Sequence, residues 1–399
     1  MMAFTSGSRF NRRVAALSAA ATSGLSERIT TLKAKGLDLI SLATGEADFD
    51  TPEHIRQAAV AAIARGETRY TPTAGTSALK QAIINKFAQE NDLTFTANEV
   101  VVGNGAKQVL YNFLQTLVDD GDEVIFAAPY WVSYPEMVKA AGGHSVVITT
   151  TLDTGFKLTP AQLAQAISEK TKVFIFCSPN NPSGHAYSKT EMAAIAEVLR
   201  KFPDIWVITD DIYEHLMWSE QAFCHLLNVC PALATRTLLV NGVSKTFAMT
   251  GWRIGYGAGP AEVIEMVVRL QSHSTSGACS IAQAAAVAAL TGPKDQVRLM
   301  CQEFKKRHDY LYQQLQQLPL IKCRPSDGTF YLFVDVRQWI ATLPEIDTDI
   351  AFAEYLIDQV GVAVVPGSAF GTPGHIRFSF AVSTETLKIV IERLKRLLV

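Results

Sequence analysis

The sequence is short of charge, of patterned cysteine and of long apolar runs. Charged residues make up 19% of its 399 residues and the formal net charge is -2. No basic stripe able to hold a phosphate backbone is present, so nucleic acid is not an expected partner. The six cysteines, Cys177, Cys224, Cys230, Cys279, Cys301 and Cys323, form no C-x-x-C pair and share no regular spacing. H-E-x-x-H is missing too, so the expectation is reduced thiols, no metal and a cytoplasmic setting. No apolar run approaches the ~18 residues of a membrane-spanning helix, which predicts a soluble chain without a membrane partner.

Acidic residues are absent before Glu27. The stretch "SRFNRRVAALSAAATS" is rich in Arg, Ser and Ala, the composition of an organelle transit peptide. It runs without a linker into "LSERITTLKAKGLDLISL", a helix-like stretch followed by a strand-like one, which favours the mature-protein reading.

Short apolar runs recur from residue 100 onward: "EVVVGNG", "DEVIFAAPY", "KVFIFCSPN", "IWVITDDIY" and "TLLVNGVSK". Runs of this kind are expected of strands buried on both faces. Between them lie helical segments such as "AKQVLYNFLQTLVDDGD", with a stop signal at Gly121, and "TEMAAIAEVLRKFPD", stopping before Pro203. The alternation predicts an α/β fold, a mostly parallel sheet with helices on both faces, whose ligands sit at the carboxyl ends of the strands. Past residue 300 the pattern changes to the helical "DQVRLMCQEFKKRHDYLYQQLQQL", then "GTFYLFVDV", "GVAVVPG" and "HIRFSFAV", then the helix "TETLKIVIERLKRLLV". This predicts a large domain over residues 46-300 and a smaller α+β domain formed by 1-45 and 301-399.

The polar residues that close the apolar runs carry the chemistry. "VVVGNGAKQ" ends in Gly103, Asn104 and Gly105 and opens a helix, whose N-terminal amides suit a phosphate. Gln108 stands where a dinucleotide fingerprint has its third glycine, so the pattern is weak support for NAD. "FCSPNNPSGH" must turn, and offers the Asn181 amide to an anionic oxygen. Asp210 ends a run, as a helix N-cap or as a partner for a cationic ring nitrogen, with Tyr213 just beyond. Lys245 stands in "NGVSKTFAMTGWRIGYG" among residues that would bury it, with Arg253 eight positions later. Burying an ammonium is costly, desolvation lowers its pKa, and a neutral amine condenses with an aldehyde. Pyridoxal phosphate further requires a carboxylate, an anion cradle and an arginine, which Asp210, the Gly105 turn and Arg253 supply.

Together with "SLATGEADFDTP", "TRYTPTAGTSALK", "PYWVSYPEM", "NNPSG", "TDDIYEHL", "SKTFAMTGWRIGY" and "VVPGSAFG" with "HIRFSFA", these motifs make the chain resemble the fold-type I pyridoxal-phosphate enzymes. Within them it is similar to the class I aminotransferases of the bacterial aspartate branch, from about Arg12 to the C-terminus. The resemblance implies a seven-stranded sheet and pyridoxal 5′-phosphate as cofactor, with Lys245 as the Schiff-base lysine that also carries the Cα proton. It implies that Asp210 holds the ring nitrogen, that Tyr213 and Asn181 hold the 3′ oxygen, and that Trp131 stacks on the ring. Arg253, Ser244 and the Gly105 and Ala106 amides would bind the phosphate, joined by Tyr70 from a second subunit, hence a homodimer with shared sites. Arg377 would clamp the substrate α-carboxylate with Asn181, Trp131 and the Gly45 backbone, and Lys107 would attract the distal carboxylate of aspartate or glutamate.

The family's K-P-S-x-T signature appears as "SAAAT", Ser18 to Thr22, which leaves substrate breadth open. The leading expectation is an aspartate:2-oxoglutarate aminotransferase with a ping-pong cycle. Standing alternatives are an aromatic, alanine or prephenate aminotransferase, a β-lyase, a non-catalytic cofactor-binding regulator and, least supported, an NAD oxidoreductase.

Overall fold

Alternating residues of the central strands are buried on opposite faces of one sheet. In the structure, a computed structural model describing residues 11-19, 21-219 and 222-398, the sheet has seven strands. Their order is Val100–Gly103, Gly255–Ala258, Thr237–Gly242, Trp206–Asp210, Thr171–Cys177, Glu123–Ala128 and His144–Thr149. Gly255–Ala258 runs antiparallel to both its neighbours, and the remaining pairings are parallel. Val102, Phe174, Val207 and Leu239 pack on one side against Ile55, Ile83, Ile195 and Ala285 from covering helices. Val101, Val173, Ile208 and Leu238 pack on the other against Phe113, Val138 and Ile264. These central strands therefore need apolar side chains at successive positions, which accounts for the unbroken runs.

A second core forms around a three-stranded antiparallel sheet ordered Val365–Pro366, His375–Ser379, Tyr331–Asp335. Phe304 and Leu311 of the helix Asp295–Gln316, Leu356 of Asp349–Val360 and Ile391 of Thr384–Lys395 pack against Leu332, Val334, Ile376 and Phe378. Leu42 and Tyr213 join that cluster, so it touches the end of the large sheet. Ile40–Ser41 pairs in parallel with Val362–Ala363.

Some sequence expectations need correction. "GVAVVPG" is not one strand: Val362–Ala363 and Val365–Pro366 belong to different sheets, and Pro366 has no N–H with which to extend the ladder. The helix from Ala106 stops at Leu117, before Gly121, which instead makes a left-handed turn at φ +90°. Asp210 caps no helix, since the chain after it continues in turns. The basic N-terminal stretch lies partly outside the described residues, as do Ala20 and the side chain of Thr22; Arg12–Ala15 forms a short helix.

Behind the carboxyl ends of the strands lies a buried ion pair. The Lys86 side chain is wholly enclosed and pairs with Glu214, whose two carboxylate oxygens also accept from Asn241 Nδ2 and Asn91 Nδ2, each at 2.9 Å. These contacts tie the helix Ser77–Asn91 to the loop that carries Tyr213 and to the strand that leads to Lys245. Burial opposes ionisation of Glu214, but Lys86, His215 and the Asn91 amide outweigh it and hold its carboxyl at about 2. A carboxyl depressed below its unfolded value of ~4.3 adds stability above that pH and loses it as pH falls towards the folded value. Glu214→Gln would strip the enclosed Lys86 of its buried carboxylate partner, leaving Asn91 Oδ1 at 2.7 Å and the Glu90 carboxylate at 3.9 Å, and is expected to cost about 3 kcal/mol at neutral pH. The same substitution should flatten the acid limb of stability between pH ~4.5 and ~2. Urea unfolding at pH 7 and pH 3 measures both, and equal midpoints for variant and wild type at pH 7 would refute the pair's contribution.

Candidate active site

The strand ends surround a cavity of about 680 Å³ lined by Gly45, Ala106, Lys107, Trp131, Asn181, Asp210, Tyr213, Ser244, Lys245, Arg253 and Arg377. All the sequence-predicted residues except Gly105 and Tyr70 are thus on its wall. Gly105 lies directly behind it, with φ +84°, and an added Cβ would come within 2.2 Å of Arg253 Nη2. Tyr70 is elsewhere, fully exposed at 101%.

Asp210 closes the Trp206–Asp210 strand and is buried. Its Oδ2 accepts from Tyr134 Oη at 2.7 Å, while its Oδ1 is buried with no protein partner. Burial lifts its carboxyl to about 6 even though the Tyr134 hydrogen bond pulls the other way; Asp211 adds to the rise. An aspartate so placed is suited to a protonated nitrogen presented from the cavity.

Lys245 is half-buried by area because its amine opens onto the cavity, but that cavity is deep enough to desolvate it. Burial and the nearby Arg377 lower its ammonium to about 8; Glu46 opposes the shift and Arg253 adds to it. The Nζ donates to the Gly45 carbonyl. Glu46 is held away by Thr250, whose hydroxyl donates to its Oε2 at 2.7 Å. Roughly a tenth to a fifth of Lys245 is therefore the neutral, nucleophilic amine near physiological pH, far more than for an ordinary lysine.

The phosphate-suited corner is built from the N-terminus of the helix Ala106–Leu117, which has no side-chain cap. Its first-turn amides are available to an anion. Arg253, at the left-handed φ of +55°, donates from Nη1 to the Thr250 carbonyl at 2.9 Å and from Nη2 to the Asn104 carbonyl at 3.3 Å. Gly255 lets these elements meet, since a Cβ there would fall 2.1 Å from the Ala106 nitrogen.

Arg377 is 2% exposed, in the strand His375–Ser379. Its Nη1 donates to Asn181 Oδ1 at 3.0 Å and its Nη2 to the Ala43 carbonyl at 2.8 Å, and its Nε is buried without a partner. Asn181 is held in a loop with cis bonds before Pro179 and Pro182. Lys107 Nζ lies 5.0 Å from the Trp131 ring centroid. Burial and the neighbouring Arg253 lower its ammonium.

A family model described as aminotransferase class I and II matches residues 38–394. The chain belongs to this family. An aspartate/prephenate aminotransferase of Nitrosomonas europaea is 47% identical over 98% of this chain and all of that protein. An aspartate aminotransferase of Geobacillus stearothermophilus is 44% identical over 96% of this chain and 98% of its own length. Among solved structures, the aspartate aminotransferase of Rhizobium meliloti superposes with a TM-score of 0.93 at 41% identity, covering 97% of this chain and 98% of that one. The Thermus thermophilus enzyme with maleate gives 0.92 at 40%, covering 97% and 99%. Class I and II aminotransferases are pyridoxal-phosphate enzymes, and the residues here fit that group. The orphan Asp210 oxygen suits its ring nitrogen, the uncapped helix start beside Arg253 suits its phosphate, and the desolvated Lys245 suits its aldehyde.

Sequence reasoning misses Tyr134, Tyr331, Glu46 and Thr250, although all four stand inside quoted stretches. For Tyr134 a signal existed, three residues after Trp131 in "PYWVSYPEM"; its partner could not be read from the chain.

The pKa of Lys245 is directly measurable. When cofactor-free protein reacts with pyridoxal, the rate at Lys245 should rise with a midpoint near 8, not near the ordinary lysine value of 10.5. Lys245→Ala should remove that phase. A midpoint above 10 would mean that the cavity does not desolvate the amine.

Proposed function

We propose that this chain is an aspartate aminotransferase that moves the amino group of L-aspartate to 2-oxoglutarate, giving oxaloacetate and L-glutamate. The observation that carries this reading is the single cavity joining a desolvated lysine and a buried aspartate to two further cations, Arg377 and Lys107. Among the described residues no carboxylate lies within ion-pair distance of either Arg377 or Lys107. A dicarboxylic substrate brings one carboxylate for each, and the planar Arg377 fork suits the α-carboxylate. The relatives named aspartate aminotransferase, and the maleate named for the Thermus structure, support the same substrate class.

When bound, pyridoxal 5′-phosphate supplies an aldehyde that accepts the amino group and a protonated ring that withdraws electrons from Cα, so the enzyme alternates between pyridoxal and pyridoxamine forms. The protein's part follows from its own groups. Asp210, ionised at neutral pH, would hold the proton on the ring nitrogen. Tyr213 and Asn181 would hydrogen-bond the 3′ oxygen and Trp131 would support the ring. Arg253, Ser244 and the Gly105 and Ala106 amides would hold the phosphate. Arg377, Asn181, Trp131 and the Gly45 backbone fix the α-carboxylate, placing Cα–H near the Lys245 amine, which takes up and returns that proton as general base and acid.

The large 46-300 and small 1-45 plus 301-399 domains are part of this reading, supported by the separate apolar clusters on the two sheets. A homodimer is supported by the exposed side chains of Tyr70, Val60 and Ile63 on neighbouring segments, with Tyr70 reaching the partner's phosphate. A cytoplasmic location accords with six unpaired cysteines. Prephenate as a further substrate is favoured by the name of the Nitrosomonas relative.

Titration of the cofactor-loaded protein with aspartate should convert its visible absorption to that of the pyridoxamine form at lower concentration than alanine or tyrosine does. An unmoved spectrum would defeat the assignment. Lys107→Ala should lower kcat/KM for aspartate roughly tenfold or more while changing alanine little, the loss expected for one charge-assisted contact. Equal losses on both substrates would remove Lys107 from specificity.

A further inference from the structure

We infer that Tyr331 is a positioning residue joining the carboxylate-binding Arg377 to Tyr213, with its ring serving one and its hydroxyl the other. The inference rests on the aminotransferase reading above. Tyr331 is 1% exposed and opens the strand Tyr331–Asp335. Register pairs it with Ser379 and pairs Arg377 with Phe333, so Tyr331 and Arg377 are diagonal neighbours on one sheet face.

The guanidinium carbon of Arg377 lies 4.2 Å from the Tyr331 ring centroid and 5.1 Å from that of Phe370. The contact to Tyr331 is the closest cation–ring approach found among the described residues. Aromatic support of this kind attracts the cation and fixes the plane of the fork. With Nη1 and Nη2 anchored on Asn181 and Ala43, the ring contact restrains the rotation that those bonds leave. The arginine is thereby oriented before a carboxylate arrives.

At the other end of the side chain, Tyr331 Oη lies 3.2 Å from Tyr213 Oη, and either can donate. When Tyr213 donates its only proton to the 3′ oxygen of the cofactor, its oxygen can only accept, and Tyr331 becomes the donor. A hydroxyl that accepts one hydrogen bond donates a stronger one. The charged and titratable groups around this pair are Arg377 on the adjacent strand, Glu46 and Lys245 on loops, and Asp210 and Cys177 at strand ends. All of them remain when only the Tyr331 hydroxyl is removed.

The test uses cofactor-loaded wild type, Tyr331→Phe and Tyr331→Leu, with two readouts made without turnover. The first is the pH midpoint of the visible absorption; the second is the Kd for maleate, a dicarboxylate with no amino group to transfer. A donor to the 3′ oxygen favours the deprotonated chromophore, so weakening it moves the midpoint upward. Tyr331→Phe is expected to raise that midpoint by about half a unit, roughly threefold in proton affinity, with the Kd within twofold of wild type. Tyr331→Leu is expected to raise the midpoint similarly and to weaken maleate about tenfold. An unmoved midpoint in Tyr331→Phe overturns the hydroxyl link even if Tyr331→Leu fails to fold, and wild-type maleate affinity in Tyr331→Leu overturns the ring's role. A wild type that develops no visible absorption on loading removes the aminotransferase reading itself, an outcome distinct from normal wild-type absorption with unmoved variants.

Discussion

Crowding of positive charge at one end of a sheet is the constraint on which the rest of the structure depends. Lys107, Lys245, Arg253 and Arg377 share one cavity. Arg377 and Arg253 both depress the Lys245 ammonium, and Arg253 depresses that of Lys107. Such a cluster is tolerable only if neutral acceptors surround it and anions are its intended guests. The acceptors are neutral carbonyls: the main chain of Gly45 for Lys245, of Ala43 for Arg377 together with the Asn181 side-chain amide, and of Asn104 and Thr250 for Arg253. Carbonyls take these bonds without cancelling the charge, so the field remains for a phosphate and two carboxylates.

Asp210 is the counterweight. It is buried at a strand end beside Asp211, and its carboxyl is pushed up to about 6, yet the same burial that raises it also keeps water from competing for its free oxygen. Tyr134 fixes the second oxygen, so only one direction is left for a partner. An acid and a base thus approach neutrality from opposite sides, Asp210 upward and Lys245 downward, for one shared reason, desolvation.

Much of this was legible in the chain. Strands buried on both faces announce themselves as apolar runs, and the residues that end such runs fall on the sheet's functional rim, which is why Asp210, Asn181 and Lys245 could be named from position and chemistry. Two strands escaped. His144–Thr149 is an edge strand with mostly exposed side chains, and Gly255–Ala258 offers little apolar mass to read. The missed site residues share another cause. Tyr134 and Tyr331 look like ordinary members of apolar segments, and their roles come from partners 76 and 118 residues away. Local periodicity carries no information about such pairs.

The hydrogen bond from Arg377 to the Ala43 carbonyl spans 334 residues of chain. The large sheet is complete once Ala258 is in place, and with it Asp210 and Lys245, well before synthesis reaches Arg377. During translation, the strands that carry Asp210 and lead to Lys245 are therefore made before the strand that carries Arg377. Domains generally fold as units in order of emergence, so the sheet that presents Asp210 and Lys245 can form before the arginine that completes the cavity wall is made.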